Sequence, residues 1–263
     1  MVLPLYTDDP LEGETKPYVI WSLIAINFAI FMIPLLLRTE TQVALLKSLG
    51  FVPAIEMRDA AFSGPFPRDF TLITSMFVHG SAWHLLGNML FLWVFGDDIE
   101  DALGHVRFLI FYLLCGIGGG LAFLANEPHS GAVLIGASGA ISGVLTAFLL
   151  LRPCAKVEVL LYFWPFGIRA LYVVSIWIGL QVWNALTQVD DGVAYWDHVG
   201  GVVAGAILLL GLRPSHLPLF ECLWPTKDWD QARGRTRRWA IEHVLVLGFI
   251  GVVLLVYVGW VSQ

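Results

Sequence analysis

Gly136-Ala137-Ser138-Gly139-Ala140 runs straight into an apolar stretch, and Trp196-Asp197-His198-Val199-Gly200-Gly201 opens another. A hydroxyl and an imidazole at the starts of two such segments are costly to bury in lipid, so they read as functional groups, a nucleophile and a base. The lipid itself is implied by composition. Of 263 residues, 57% are hydrophobic and 14% charged, with a mean hydropathy of +0.74. A soluble domain carries about a quarter charged residues, so the chain reads as an all-α polytopic membrane protein. Its net charge of −6 argues against a nucleic-acid partner, because such binding neutralises phosphates with Lys and Arg. Cys115, Cys154 and Cys222 show no metal-ligand spacing and imply neither disulfide nor zinc. The acidic stretch from Asp8 to Glu14 precedes the first apolar run, where a cleavable signal would be basic, so that run is expected to be a retained helix.

Stretches long and apolar enough to approach a bilayer's thickness predict seven spans: Tyr18 to Leu37, Trp83 to Phe95, Phe108 to Ala125, Gly136 to Leu151, Ala170 to Leu186, His198 to Leu212 and Ala240 to Trp260. The segment from Arg38 to Ala82 holds Pro53, Pro65 and Pro67 among apolar residues and reads as a structured loop on the membrane. Val157 to Gly167 is too short to span and too apolar for water, which places it at the interface. Of the 15 basic residues, Arg38, Lys47, Arg58 and Arg68 fall in outer segments and the other eleven in inner ones when the N-terminus is cytosolic. The positive-inside rule therefore predicts a cytosolic N-terminus and an outside C-terminus, and the expected location is a cell membrane. The parts are then a cytosolic tail (1–17), a bundle (18–213), a basic cytosolic loop (214–239) and an added C-terminal helix (240–263).

This topology brings Ser138, His198 and the pair His84 and Asn88 to the outer half of the membrane. The sixteen residues from Gly136 to Leu151 make a helix of roughly 24 Å, shorter than a hydrocarbon core of about 30 Å, so Ser138 is expected below the outer surface. Gly136, Gly139 and Gly143, with Gly201 and Gly205 opposite, repeat at three- and four-residue spacings that let two helices approach closely. Ordinary small-residue packing explains those glycines, but not a serine and a histidine stationed at their outer ends. His84 and Asn88, at i and i+4, share one helix face. They read either as an interhelical hydrogen-bonded pair or, with the Ser138 backbone N–H, as donors to a developing oxyanion. There is no HExxH, and His79 with His84 lacks a third ligand, so no metal is expected. Asp97 and Asp98, at the inner end of the second span, read as solvated or capping carboxylates. Asp197 neighbours His198 and so does not face it, leaving a Ser-His dyad.

These residues resemble the rhomboid family of intramembrane serine proteases. The resemblance runs from Pro17 through at least Arg213 and rests on His84-xxx-Asn88, Gly96-xxx-Glu100-xxx-Gly104-xxx-Phe108-xxx-Tyr112, Gly136-Ala-Ser138-Gly139 and His198-xx-Gly201-xxx-Gly205, in the expected order. It implies a six-helix catalytic bundle with one appended helix, and cofactor-free cleavage of other proteins' transmembrane segments near the outer face. Ser138 is then the nucleophile, His198 the base, and His84, Asn88 and the Ser138 backbone the oxyanion site. The implied partners are transmembrane substrates and the lipid bilayer. Two positions depart from the pattern: Ser142 stands where some members stack a tyrosine on the histidine, and Asp197 where small residues usually precede it. A rhomboid-like protein that binds transmembrane helices without cutting them is the alternative; such members typically lack the serine or the histidine. A transporter or channel would carry charge within its spans or paired broken helices, whereas the mid-span regions are almost free of charge.

Overall fold

The computed structural model describes residues 2–7, 15–35, 39–62, 64–161 and 164–220. The chain runs through strand β1 (Val2–Thr7), helix α1 (Tyr18–Leu35), the shorter helices α2 (Thr39–Leu49), α3 (Pro53–Glu56) and α4 (Thr71–Thr74), and the long helices α5 (Ala82–Leu103), α6 (His105–Asn126) and α7 (Ser138–Leu151). A hairpin of β2 (Lys156–Leu161) and β3 (Trp164–Arg169) leads into α8 (Ala170–Leu186) and α9 (Tyr195–Leu212).

Helix α7 is the centre of the bundle. It carries no charge, eleven of its 14 residues are buried, and it packs against α5, α6, α8 and α9, as expected of a helix that is apolar all round. Its seam with α9 is made of backbone. A β-carbon on Gly201 would collide with the Gly139 carbonyl, and one on Gly205 would lie 2.6 Å from the Gly143 Cα. Gly200 stands in the same relation to the Gly118 carbonyl on α6, at 2.6 Å. Gly201→Val is therefore expected to force α7 and α9 apart, at a cost of about 1–3 kcal/mol or more. Gly211→Ala, on the same helix with nothing within 4 Å of the added carbon, should leave the unfolding temperature in detergent unchanged or slightly raised.

Polar groups fasten the helix ends. Ser81 caps α5, its hydroxyl accepting the His84 N–H at 3.2 Å. Gly104 ends α5 with φ +76°, a conformation glycine adopts without strain, and α6 starts at the next residue. Glu100, almost fully buried, accepts the Val19 and Ile20 N–H groups at 2.9 and 2.8 Å and lies 2.5 Å from His105 Nδ1. It thereby satisfies the orphan amides that begin α1 from a different helix.

Several expectations need correction. The second predicted span continues from Phe95 to Leu103 because its acidic end is structured. Asp98 is buried, not solvated, and accepts the Thr7 hydroxyl at 3.0 Å, which ties β1 to α5. Residues 157–161 and 164–167, within the segment placed at the interface, pair as antiparallel strands, and β1, within the segment read as a tail, adds to them on the β2 side. The Arg38 to Ala82 loop contains α2, α3 and α4. Helix α7 begins at Ser138, leaving Gly136 outside it, and α9 begins at Tyr195, three residues before His198. The cysteine spacing implies no disulfide, yet Cys154 is disulfide-bonded. The span Ala240 to Trp260, and with it the seventh helix, lies outside the described residues.

Candidate active site

The backbone approaching Ser138 is pinned on two sides. Phe51 and Leu134 exchange hydrogen bonds at 3.0 and 2.8 Å, and the Gly136 N–H donates to the Ser75 carbonyl at 2.9 Å. Gly136 itself has φ +114°, and a β-carbon there would lie 2.6 Å from His84 Nε2 and 3.4 Å from Asn88 Nδ2. A glycine is thus needed twice over, for conformation and for room. Ala137, which precedes the helix, offers no side-chain cap, so the first amides of α7 point outward with the positive end of the helix dipole.

That end faces α9. Asp197 is buried in a notch formed by Gly119 and Gly139, where a β-carbon on Gly139 would come within 2.5 Å of its carboxylate. It accepts the Gly139 N–H, and the Ser138 hydroxyl lies 3.5 Å from its Oδ2, a long and weak contact. The sequence reading set Asp197 aside because chain neighbours diverge. Asp197 and His198 do diverge, but Asp197 turns toward Ser138. Among the described residues, the hydrogen-bond partner of the Ser138 hydroxyl is Asp197 and not His198. His198 is buried and pairs through Nδ1 with Gln181 Oε1 of α8 at 2.7 Å; the Trp177 and Tyr195 rings lie 5.9 and 6.3 Å from its own. Ser142 does not take the missing tyrosine's place, since its hydroxyl donates to the Ser138 carbonyl at 2.7 Å.

On α5, Asn88 Nδ2 donates to His79 Nε2 at 3.0 Å, and the His79 and His84 rings meet edge to face at 5.0 Å. His79 lies in the connector before α5, outside the spanning helices, and was considered in the sequence only as a metal ligand. Burial, with His84 adding to it, draws its imidazole down from 6.5 to about 3. With the folded value below the unfolded one, the stability contributed by neutral His79 is complete above about pH 6.5 and is lost as the pH falls toward 3. Protonation would also destroy the acceptor that Asn88 uses. The unfolding temperature of His79→Gln is accordingly expected to fall less than that of the wild type between about pH 6 and pH 4.

Ser138, His198, His84 and Asn88 line one cavity of about 740 Å³, with Trp83, Ile135, Trp177 and Val193 among its apolar walls. Gly139, Gly143, Gly201 and Gly205 stand behind it in the α7–α9 seam, and Gly136 lies against His84 and Asn88. No group of three or more metal-ligating side chains occurs among the described residues. Gln181, Trp177 and His79 were not singled out from the sequence as parts of this site. Gln181 carried a weak signal, as an amide within an otherwise apolar segment.

This is a bundle of apolar helices with polar side chains gathered around a cavity at the starts of α5, α7 and α9. Helices α6 and α9 are long and apolar enough to cross a membrane, and α1, α7 and α8 are apolar but shorter. The Rhomboid domain model matches residues 68–215, and the chain belongs to the rhomboid family, a membrane-embedded one. It is 32% identical over 143 residues to Rhomboid protein 1, mitochondrial, of Saccharomyces cerevisiae, covering 52% of this chain and 40% of that protein. It is 33% identical over 143 residues to Rhomboid protease GluP of Bacillus subtilis, covering 54% and 26% respectively. It is 30% identical over 202 residues to RHOMBOID-like protein 2 of Arabidopsis thaliana, covering 72% and 55%. The chain thus spans between a quarter and just over half of these relatives' lengths.

Proposed function

We propose that the chain is an intramembrane serine endopeptidase that cleaves transmembrane segments of other proteins near the outer membrane face. The observation that carries this reading is the convergence of Ser138, His198, His84 and Asn88, from three helices, on one cavity. In the reaction His198 Nε2 takes the Ser138 proton as Oγ attacks the scissile carbonyl carbon. Charge then develops on the carbonyl oxygen, where His84, Asn88 and the Ser138 N–H are the proposed donors. The tetrahedral intermediate collapses, and the imidazolium gives its proton to the leaving amine. Water, deprotonated by the same imidazole, hydrolyses the acyl-enzyme and regenerates the serine. For the first step the Ser138 hydroxyl must turn from Asp197 toward His198; catalytic hydrogen bonds are often long before substrate binds.

No cofactor enters this scheme. The proposed topology has the N-terminus in the cytosol and the cavity in the outer half, with 18–213 as the catalytic bundle, 214–239 as a basic cytosolic loop and 240–263 as a further helix ending outside. Several relatives are named only rhomboid-like, and a non-cutting helix-binding protein is the competing reading. Co-expression with a panel of single-span proteins, with cut sites mapped by mass spectrometry, separates the two. Cleavage by the wild type and not by Ser138→Ala supports the protease; no cleavage of any panel member by either favours the binder.

A further inference from the structure

Gln181 is an amide in the apolar helix α8, only 8% exposed, and an amide buried there destabilises the fold unless it is hydrogen-bonded. Its oxygen lies 2.7 Å from Nδ1 of His198. One turn earlier on the same helix, the Trp177 ring lies 5.9 Å from the imidazole at a tilt of 32°. The other candidates for holding that ring are engaged elsewhere. Asp197 faces Ser138 and Gly139, and the Ser142 hydroxyl is bonded to the Ser138 carbonyl.

We propose that Gln181 is a positioning residue that fixes the tautomer of His198, accepting the Nδ1–H so that the Nε2 lone pair is presented to the cavity. The inference rests on the reading of Ser138 and His198 as nucleophile and base. A neutral imidazole has one donor and one acceptor nitrogen, so an acceptor placed at Nδ1 leaves Nε2 as the base. A soluble triad uses a buried carboxylate for this purpose; here a neutral amide does the orienting without bringing a second charge into the bundle. Trp177, on the same face of α8, limits the ring's rotation.

The test compares wild type with Gln181→Met and Gln181→Glu in detergent, following kcat, KM and fluorophosphonate labelling against pH. Nitrogen NMR of 15N-histidine-labelled protein, with His198→Ala for assignment, reads the tautomer directly. The wild type should show the proton of His198 on Nδ1. Gln181→Met should scramble that tautomer and lower kcat about tenfold at unchanged KM, the scale of one hydrogen bond. Gln181→Glu keeps an acceptor of the same size, so its rate should stay near that of the wild type. Its charge should move the acidic limb of the pH profile upward by about one unit or more. The other titratable or charged groups around His198 are the same in all three proteins: Tyr195 on α9, His84 on α5 and Asp191 in the segment before α9, with Asp197 turned away toward Ser138. A merely structural glutamine would leave the tautomer and kcat of folded Gln181→Met unchanged. A wild-type His198 protonated on Nε2 overturns the inference, as does a Gln181→Met protein with unchanged tautomer and rate. If Gln181→Met does not fold, the nitrogen spectrum of the wild type decides, since the inference requires the proton on Nδ1. Absence of any Ser138-dependent cleavage or labelling in the wild type would sink the protease reading alone, because the nitrogen spectrum still decides the role of Gln181.

Discussion

Ser138→Ala and His198→Ala are each expected to lower cleavage of a transmembrane substrate by about 10⁴-fold or more, with the protein still folded. Each substitution removes a proposed reacting group and leaves the α7–α9 seam intact, because that seam is built from Gly139, Gly143, Gly201 and Gly205 rather than from either side chain. Residues that act as one catalytic unit are non-additive. The double variant should therefore be little worse than either single one. The check is initial rates on purified protein, alongside thermal unfolding. A Ser138→Ala protein that cuts at a normal rate would refute the proposed nucleophile, and a double variant far below both singles would refute the unit.

His84→Ala and Asn88→Ala should each reduce kcat by about 10²–10³, the loss seen when one oxyanion donor is removed. Both side chains reach the backbone at Gly136, two residues before Ser138, and both line the cavity. Asn88 also holds His79, so its loss has a structural component that must be separated. Turnover per folded molecule and unfolding temperature measured on one preparation accomplish this. A purely structural pair would lower stability and leave turnover near normal, whereas an oxyanion pair lowers turnover at modest cost in stability. Unchanged turnover in both variants would leave the Ser138 N–H as the remaining proposed donor.

The helices were legible because long apolar runs leave few alternatives, and Ala170 to Leu186 has the same bounds in the structure as in the sequence reading. The acidic end of α5 was not. Asp97 and Asp98 read as solvated or capping carboxylates until Thr7 is brought to Asp98, and what Glu100 binds is visible only once the first amides of α1 are brought to it. The small sheet escaped for a related reason. A short, mostly apolar run such as Val157 to Gly167, with Glu158 as its one charge, has no sustained alternation to declare a strand, and its partner β1 is about 150 residues away. At the site, Ser138, His198, His84 and Asn88 could be picked out by residue type, spacing and family resemblance. Gln181 could not, because its meaning lies in a 2.7 Å contact between two helices. Asp197 was noticed as a departure, but its direction depends on the notch left by Gly119 and Gly139, which only the packing defines.

The most direct test of the proposed serine-protease chemistry is to react the detergent-solubilised protein with a fluorophosphonate and locate the adduct by peptide mass spectrometry. An activated serine should be phosphonylated stoichiometrically at Ser138, with labelling lost in His198→Ala. A wild-type protein that folds, presents the cavity and remains unlabelled at Ser138, or is labelled there equally well without His198, would contradict it.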